Sequence, residues 1–171
     1  VVIEDNVGGD WRPQNYSKKV FGPTRLRKAL STSLNLVSVR LVRALGVDAV
    51  RDHLEKFGFD RSRLPNGLSL ALGSATVTPM EVARAYSVFA NGGFLVEPFF
   101  IARVEDPSGQ IVEYANRQMS CSGCGTSVTE SSDNSERSPD RRFSQQVVSS
   151  ENAFLLDSMM REVIRSGTGQ A

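Results

Sequence analysis

The chain has 171 residues, 40% of them hydrophobic, and a formal net charge of +1. That length suits one domain or a large piece of one, with enough apolar side chains for a core. The near balance of acids and bases argues against a nucleic-acid binder held by counterion release, and no apolar run approaches membrane-spanning length. Val1-Val2-Ile3 reads as the end of a strand or an extended entry segment. Glu4 to Lys19 is polar and irregular, with Trp11 and Tyr16 as its expected anchors, since aromatic side chains bury large areas. Gly22-Pro23 marks a turn, and Thr24 is placed to cap a first helix through Leu30 with Leu26, Ala29 and Leu30 as its apolar face.

A second helix is predicted over Leu36–Leu45, with Val37, Leu41 and Ala44 on one stripe and Arg40 and Arg43 off it. Gly46 fits the position just past its end. A third helix follows, with Asp48 as its cap, Val50, Leu54 and Phe57 on one face, and Gly58 as its stop. His53 and Lys56 flank that face as surface residues. Three helices with basic residues also admit a helix-turn-helix DNA-binding module, with Arg40 and Arg43 on the nucleic-acid backbone, but the global basic excess it needs is missing.

Ser31-Thr32-Ser33-Leu34-Asn35 joins the first two helices and is too short for a free loop. In an extended joint Ser33 and Asn35 point the same way, with Leu34 turned to the buried side. A hydroxyl and a carboxamide then share one rim. The same residues also suit plain capping, with Asn35 accepting an orphan N–H of the helix from Leu36.

Further along, Phe59–Leu68 is a loop, and Ser69–Ser74 is an apolar stretch of small residues. Thr78-Pro79-Met80-Glu81 is a helix start with a capping box, and the helix to Asn91 carries Val82, Ala85 and Phe89 inward, with Met80, Ala83 and Ala90 alongside. Asn91-Gly92-Gly93 closes it. Phe94–Val96 and Phe99–Val104 are rich in β-formers, Asp106-Pro107-Ser108-Gly109 is a turn, and Ile111–Tyr114 returns as the second strand of a β-hairpin. From Ala115 to Ser144 large apolar residues almost vanish, which predicts a flexible surface insert. Order returns at Gln145–Val148. Ser149 or Ser150 caps a long helix through Arg165, with Phe154, Leu155, Met159, Val163 and Ile164 as its apolar face and Gly167 as its stop. The residues thus predict a mainly α chain with a short β-hairpin.

Cys121 and Cys124, spaced C-x-x-C, are the only cysteines, and His53 is the only histidine. Four metal ligands cannot be assembled from them, and the βαβ setting of a thioredoxin-like centre is missing. No metal and no cofactor are expected, and the pair is either a local disulfide or two free thiols.

Ser33-Leu34-Asn35 resembles the S-x-N joint of penicillin-binding proteins. Trp11-Arg-Pro-Gln-Asn-Tyr16, Gly22-Pro-Thr-Arg-Leu-Arg27, Ser69-Leu-Ala-Leu-Gly-Ser74, Thr78-Pro-Met-Glu81, Ala90-Asn-Gly-Gly93 and Ser166-Gly-Thr-Gly169 resemble the same family, in its usual order. The resemblance covers nearly the whole chain outside one insert and is to the transpeptidase domain of the bifunctional, class A type. It implies a parent domain of the α/β serine β-lactamase/DD-transpeptidase type. It also implies a serine acyl-enzyme reaction on D-Ala-D-Ala stem peptides of peptidoglycan, β-lactam binding, and a glycosyltransferase partner domain. The implied location is the periplasmic face of the bacterial inner membrane, with attachment through parent regions outside this chain and no nucleic-acid partner. Carried over, Ser33 becomes a proton-relay hydroxyl and Asn35 the carboxamide that binds the substrate amide. An oxidising compartment favours the Cys121–Cys124 disulfide.

Two of the family's three motifs are missing. The residues three before Lys18, Lys19, Lys28 and Lys56 are Asn15, Tyr16, Arg25 and His53, so no S-x-x-K occurs. No K-T-G occurs, and Gly167-Thr168-Gly169 reads as a turn. A Ser–His–Asp triad has no G-x-S-x-G elbow to support it. The expectation is therefore an internal fragment, residues 1–171, of one transpeptidase domain, with an insert at 115–144, no nucleophile of its own and no activity alone. A serine β-lactamase-type hydrolase is the alternative on the same fold; the Trp11–Tyr16 and Ser69–Ser74 segments favour the penicillin-binding protein.

Overall fold

The computed structural model describes residues 3–5, 9–115, 118–120 and 142–170. Among them five α-helices run α1 (Leu26–Ser31), α2 (Asn35–Leu45), α3 (Val47–Glu55), α4 (Pro79–Ala90) and α5 (Ser150–Ser166). Short 3-10 turns at Arg61–Arg63 and Leu68–Leu72 link α3 to α4. The strands pair two by two: β1 (Ile3–Asp5) with β2 (Gly9–Trp11), β3 (Phe94–Leu95) with β8 (Gln145–Gln146), β4 (Arg103–Glu105) with β5 (Ile111–Tyr114), and β6 (Gln118–Met119) with β7 (Arg142–Phe143). The last pair is parallel and the others are antiparallel.

Helix α4 begins as its sequence dictates. The Thr78 hydroxyl accepts from the Glu81 amide at 3.2 Å, the Glu81 carboxylate accepts from the Thr78 amide at 2.6 Å, and Pro79 fills the first position, where no N–H is needed. Its buried residues are Ala85 and Val88, while Val82 stays 37% exposed. Of the expected Val82–Ala85–Phe89 stripe, Ala85 and Phe89 face the core and Val82 does not; Val88 takes the innermost place where α4 packs against both β3 and α5. Phe57, Ala85 and Val88 form the core, with Phe59, Phe89, Leu95, Val147 and Val148 packed around it. Phe57 meets Phe89 at 5.5 Å between ring centroids and takes the His53 ring edge-on at 5.4 Å.

Several expected caps and faces differ. Thr24 does not cap α1; its hydroxyl donates to the Gly22 carbonyl at 2.8 Å and closes the turn, so the helix starts at Leu26. Ala29 and Ser31 are the buried residues of α1, while Leu26 and Leu30 are exposed. In α2 the buried residues are Val39 and Val42, not the Val37–Leu41–Ala44 stripe, and α2 packs on the Leu68–Leu72 turn. Helix α3 starts directly after Gly46, whose φ of +88° suits glycine. Asp48 makes no cap there; it pairs with Arg51 at 3.4 Å and Arg61 at 3.2 Å.

Tyr16 anchors nothing, being 99% exposed. The β-formers of 94–104 split: β3 pairs with β8, and the hairpin uses only β4 and β5 around the Asp106 turn. There the Asp106 carboxylate accepts from the Ser108 and Gln110 amides at 2.8 and 2.9 Å. Ser149 is the cap of α5, accepting from the Asn152 amide at 3.3 Å. The buried residue of α5 is Ala153, and Phe154, Leu155 and Ile164 of the expected apolar face are exposed. Met159 and Val163 of that face are half-buried, and α5 packs against both α1 and α4. Strands β6 and β7 fall inside the 115–144 stretch; Cys121, Cys124 and the rest of that insert lie outside the described residues.

Candidate functional site

Helix α1 ends in a Schellman closure. The Leu34 amide donates to the Ala29 carbonyl at 2.9 Å and the Ser33 amide to the Leu30 carbonyl at 3.1 Å. This pattern needs a left-handed residue at its second-last position, usually glycine. Ser33 holds it, with φ at +53°. The joint is therefore a left-handed turn followed by one extended residue, Leu34, rather than extended throughout. Leu34 is buried, as expected, and Ser33 is exposed. A side chain kept where glycine is easier stores strain, a feature that clusters at functional sites.

Asn35 is the first residue of α2, so it does not cap the helix that starts after it. Its Nδ2 donates to the Gln14 carbonyl at 3.0 Å. The orphan amide of Leu36 instead donates to Oδ1 of Asn15, at 3.1 Å. Asn15 is only 6% exposed. Its Nδ2 donates to the Lys19 carbonyl at 2.8 Å, and its own carbonyl accepts from the Lys18 amide at 2.9 Å. Asn15 faces a carbonyl on its Nδ2 side and an N–H on its Oδ1 side, and Asn35 faces a carbonyl on its Nδ2 side, so both orientations follow from the chemistry of the partners.

Ser33 and Asn35 line one cleft of about 530 Å³, together with Tyr16, Ser17, Lys28, Thr32 and Thr168. Thr168 reaches it because its amide donates to the Ser31 carbonyl at 3.0 Å. A second cleft of about 490 Å³, lined by Phe21, Pro23, Leu36, Val37 and Leu41, runs beside it. The outward stripe of α2 faces that space.

The chemistry open to the first cleft is limited and specific. The Ser33 hydroxyl makes no hydrogen bond among the described residues, so it is free to accept and donate. Asn35 has spent one N–H on Gln14 and keeps the other, with its Oδ1. Those groups match an amide N–H and C=O. Lys28 lines the same cleft and makes no hydrogen bond to Ser33. Sequence reasoning named Ser33 and Asn35 and missed Asn15 and Thr168. Asn15 acts on a partner 21 positions away, which no local pattern signals.

The helix joint carrying Ser33, Leu34 and Asn35 thus closes against the segments of Asn15 and Thr168 around one cleft. A family model described as penicillin binding protein transpeptidase domain matches residues 3–171, and the chain belongs to that family. Relatives include penicillin-binding protein 1A of Vibrio cholerae, 39% identical over 165 residues, covering 96% of this chain and 20% of that protein. Penicillin-binding protein 1A of Escherichia coli K12 is 46% identical over 123 residues, covering 72% of this chain and 14% of that protein. The chain thus spans a fifth or less of these relatives. The solved structure of penicillin-binding protein 1A from Haemophilus influenzae superposes with a TM-score of 0.83 at 33% identity, over 99% of this chain and 26% of that one. Penicillin-binding protein A of Mycobacterium tuberculosis, solved as an imipenem acyl-enzyme complex, shares the fold with a TM-score of 0.67 at 20% identity, over 93% of this chain and 36% of that one. Family membership sets aside the DNA-binding reading of Arg40 and Arg43.

Proposed function

We propose that this chain is an internal part of one DD-transpeptidase domain, and that the full-length protein cross-links peptidoglycan stem peptides. The observation that carries the reading is the family match over residues 3–171 with Ser33 and Asn35 on one cleft wall. A serine outside this chain attacks the D-Ala-D-Ala carbonyl and releases the terminal D-Ala. The amine of a second stem peptide then takes the acyl group. Ser33 relays the proton and Asn35 holds the substrate amide. β-Lactams acylate the same serine. The full-length protein also carries a glycosyltransferase domain and works at the periplasmic face of the bacterial inner membrane. Residues 115–144 are a surface insert of this domain.

The test is labelling by a fluorescent penicillin. The full-length protein becomes covalently labelled, and the isolated 171-residue chain, which holds no S-x-x-K, does not. Ser33→Ala slows labelling by about 10²–10⁴-fold, the usual cost of a positioned proton-transfer group, and Asn35→Ala slows it by loss of the substrate-amide contact. A labelled serine within residues 1–171 overturns the assignment. A label shed as fast as it forms points to a β-lactamase-type hydrolase instead.

A further inference from the structure

We infer that Asn15 is a positioning residue for acyl transfer: it caps α2 from outside and thereby leaves the Asn35 carboxamide free, and aimed, for substrate. This rests on the transpeptidase reading above.

A helix start has orphan N–H groups, and the side chain just before it normally satisfies one. For α2 that position is Leu34, which has no acceptor and is buried. Asn35 is the nearest polar group, and drawing it into capping would withdraw its carboxamide from the cleft. The structure relieves it of that duty. Asn15 Oδ1 accepts from the Leu36 amide at 3.1 Å. The neighbouring Gln14 carbonyl accepts from Asn35 Nδ2 at 3.0 Å.

The same short segment thus makes two bonds, one to the helix and one to the carboxamide. The second fixes which face of the amide looks into the cleft. Oδ1 and the remaining N–H of Asn35 are left as an acceptor–donor pair. Asn15 is itself held rigid. It is 6% exposed, and its Nδ2 donates to the Lys19 carbonyl at 2.8 Å. The Lys18 amide returns to its carbonyl at 2.9 Å, with Lys18 in a left-handed conformation at φ +58°. A buried carboxamide bonded on both sides next to a half-exposed one divides the labour. One side chain holds the scaffold and the other reads the ligand.

The experiment is a double-mutant cycle in the full-length protein, read as the acylation rate by fluorescent penicillin well below the unfolding midpoint. Asn15→Ala lowers that rate by about 10–100-fold, the scale of an ångström's misplacement at a reacting centre. In an Asn35→Ala background the same change costs less than about twofold, because the group it positions is gone. Asn15→Asp keeps the acceptor for the Leu36 amide and loses the donor to Lys19; it retains the rate within about threefold. If Asn15→Ala does not fold, Asn15→Leu, close to its volume and without either polar group, takes its place in the cycle. Equal losses with and without Asn35, or an Asn15→Ala protein labelled at the unmutated rate, overturn the inference. So does Asn15→Asp falling at least tenfold. If the unmutated protein takes no label at all, the transpeptidase reading has failed first, and this one with it.

Discussion

The amide of Thr168 donates to the carbonyl of Ser31 at 3.0 Å, binding the chain beyond α5 to the end of α1. The approach is possible because residue 167 is glycine. A Cβ there would lie 2.1 Å from the Ser31 carbonyl oxygen and 2.8 Å from that of Val163. Arg27 adds a second tie, donating to the Ser158 hydroxyl at 2.9 Å. Gly167→Ala is expected to destabilise the fold by about 1–3 kcal/mol, the cost of forcing backbone apart in a packed joint. Urea unfolding checks it. A change inside the error of that measurement would mean the joint yields more easily than its geometry suggests.

The capping box of α4 predicts an acid-side transition. The Thr78 amide first, then the Arg63 guanidinium and the Thr78 hydroxyl, hold the Glu81 carboxyl at about 2 against its ordinary 4.5. The folded value lies below the unfolded one, so the stabilisation is complete above the unfolded value of 4.5 and fades as pH falls through it towards about 2. The stability gap between the unmutated protein and Glu81→Gln should therefore narrow as pH falls from neutral to that range. Thr78→Ala removes the cap itself and should cost about 0.5–2 kcal/mol at neutral pH. A gap that stays constant with pH would assign the role of Glu81 to shape alone.

Ser33 separates backbone strain from chemistry. Its left-handed φ of +53° is one that glycine adopts freely. Ser33→Gly is expected to leave stability unchanged or raise it by up to about 1 kcal/mol. Ser33→Ala keeps the strain and removes only a hydroxyl that no described residue engages. Both should lose acylation alike in the full-length protein. A Ser33→Gly protein that acylates at the normal rate would show that the turn, not the hydroxyl, is what this position supplies.

Val88 tests where the core lies. It is 0% exposed, whereas Val82 is 37% exposed. Val88→Ala should cost about 1.5–3 kcal/mol and Val82→Ala well under about 1 kcal/mol, measured by thermal or denaturant unfolding. The reverse order would restore the stripe that simple helical spacing suggests.

How much of this was legible in the residues depended on distance along the chain. The capping box at Thr78 and Glu81 lies within four residues and was read correctly, as was the turn at Asp106–Gly109; the cap of α5 was narrowed to Ser149 or Ser150, and Ser149 fills it. Helix faces were read less well. Periodicity shows that an apolar stripe exists, but partner elements choose which side is covered. In α5 the covered side is the one with Ala153, and Phe154 points outward. At the cleft, Ser33 and Asn35 were visible as a motif, and Leu34 as the buried residue between them. The left-handed turn at Ser33 was not visible, because serine gives no sign of adopting a conformation that glycine favours. Nor was Asn15, whose bond to Leu36 is a tertiary contact.

The pairing of β3 with β8 has a consequence for how this family can change. Leu95 lies opposite Gln145, and the carbonyl of Gly93 accepts from the amides of Val147 and Val148 at 2.8 and 3.2 Å. The chain therefore leaves the helical scaffold and rejoins it at nearly the same point. Residues 93–95 and 145–148 form two fixed posts, and the β4–β5 hairpin lies between them in the chain. Closing such a loop costs entropy only with the logarithm of its length, about 0.6 kcal/mol for each doubling. Residues can be added or lost there at little thermodynamic expense, while α1, α2, α4 and α5 keep their places. Length between the posts is the cheapest property of this chain to change, because residues 93–95 and 145–148 fix where that segment leaves and returns.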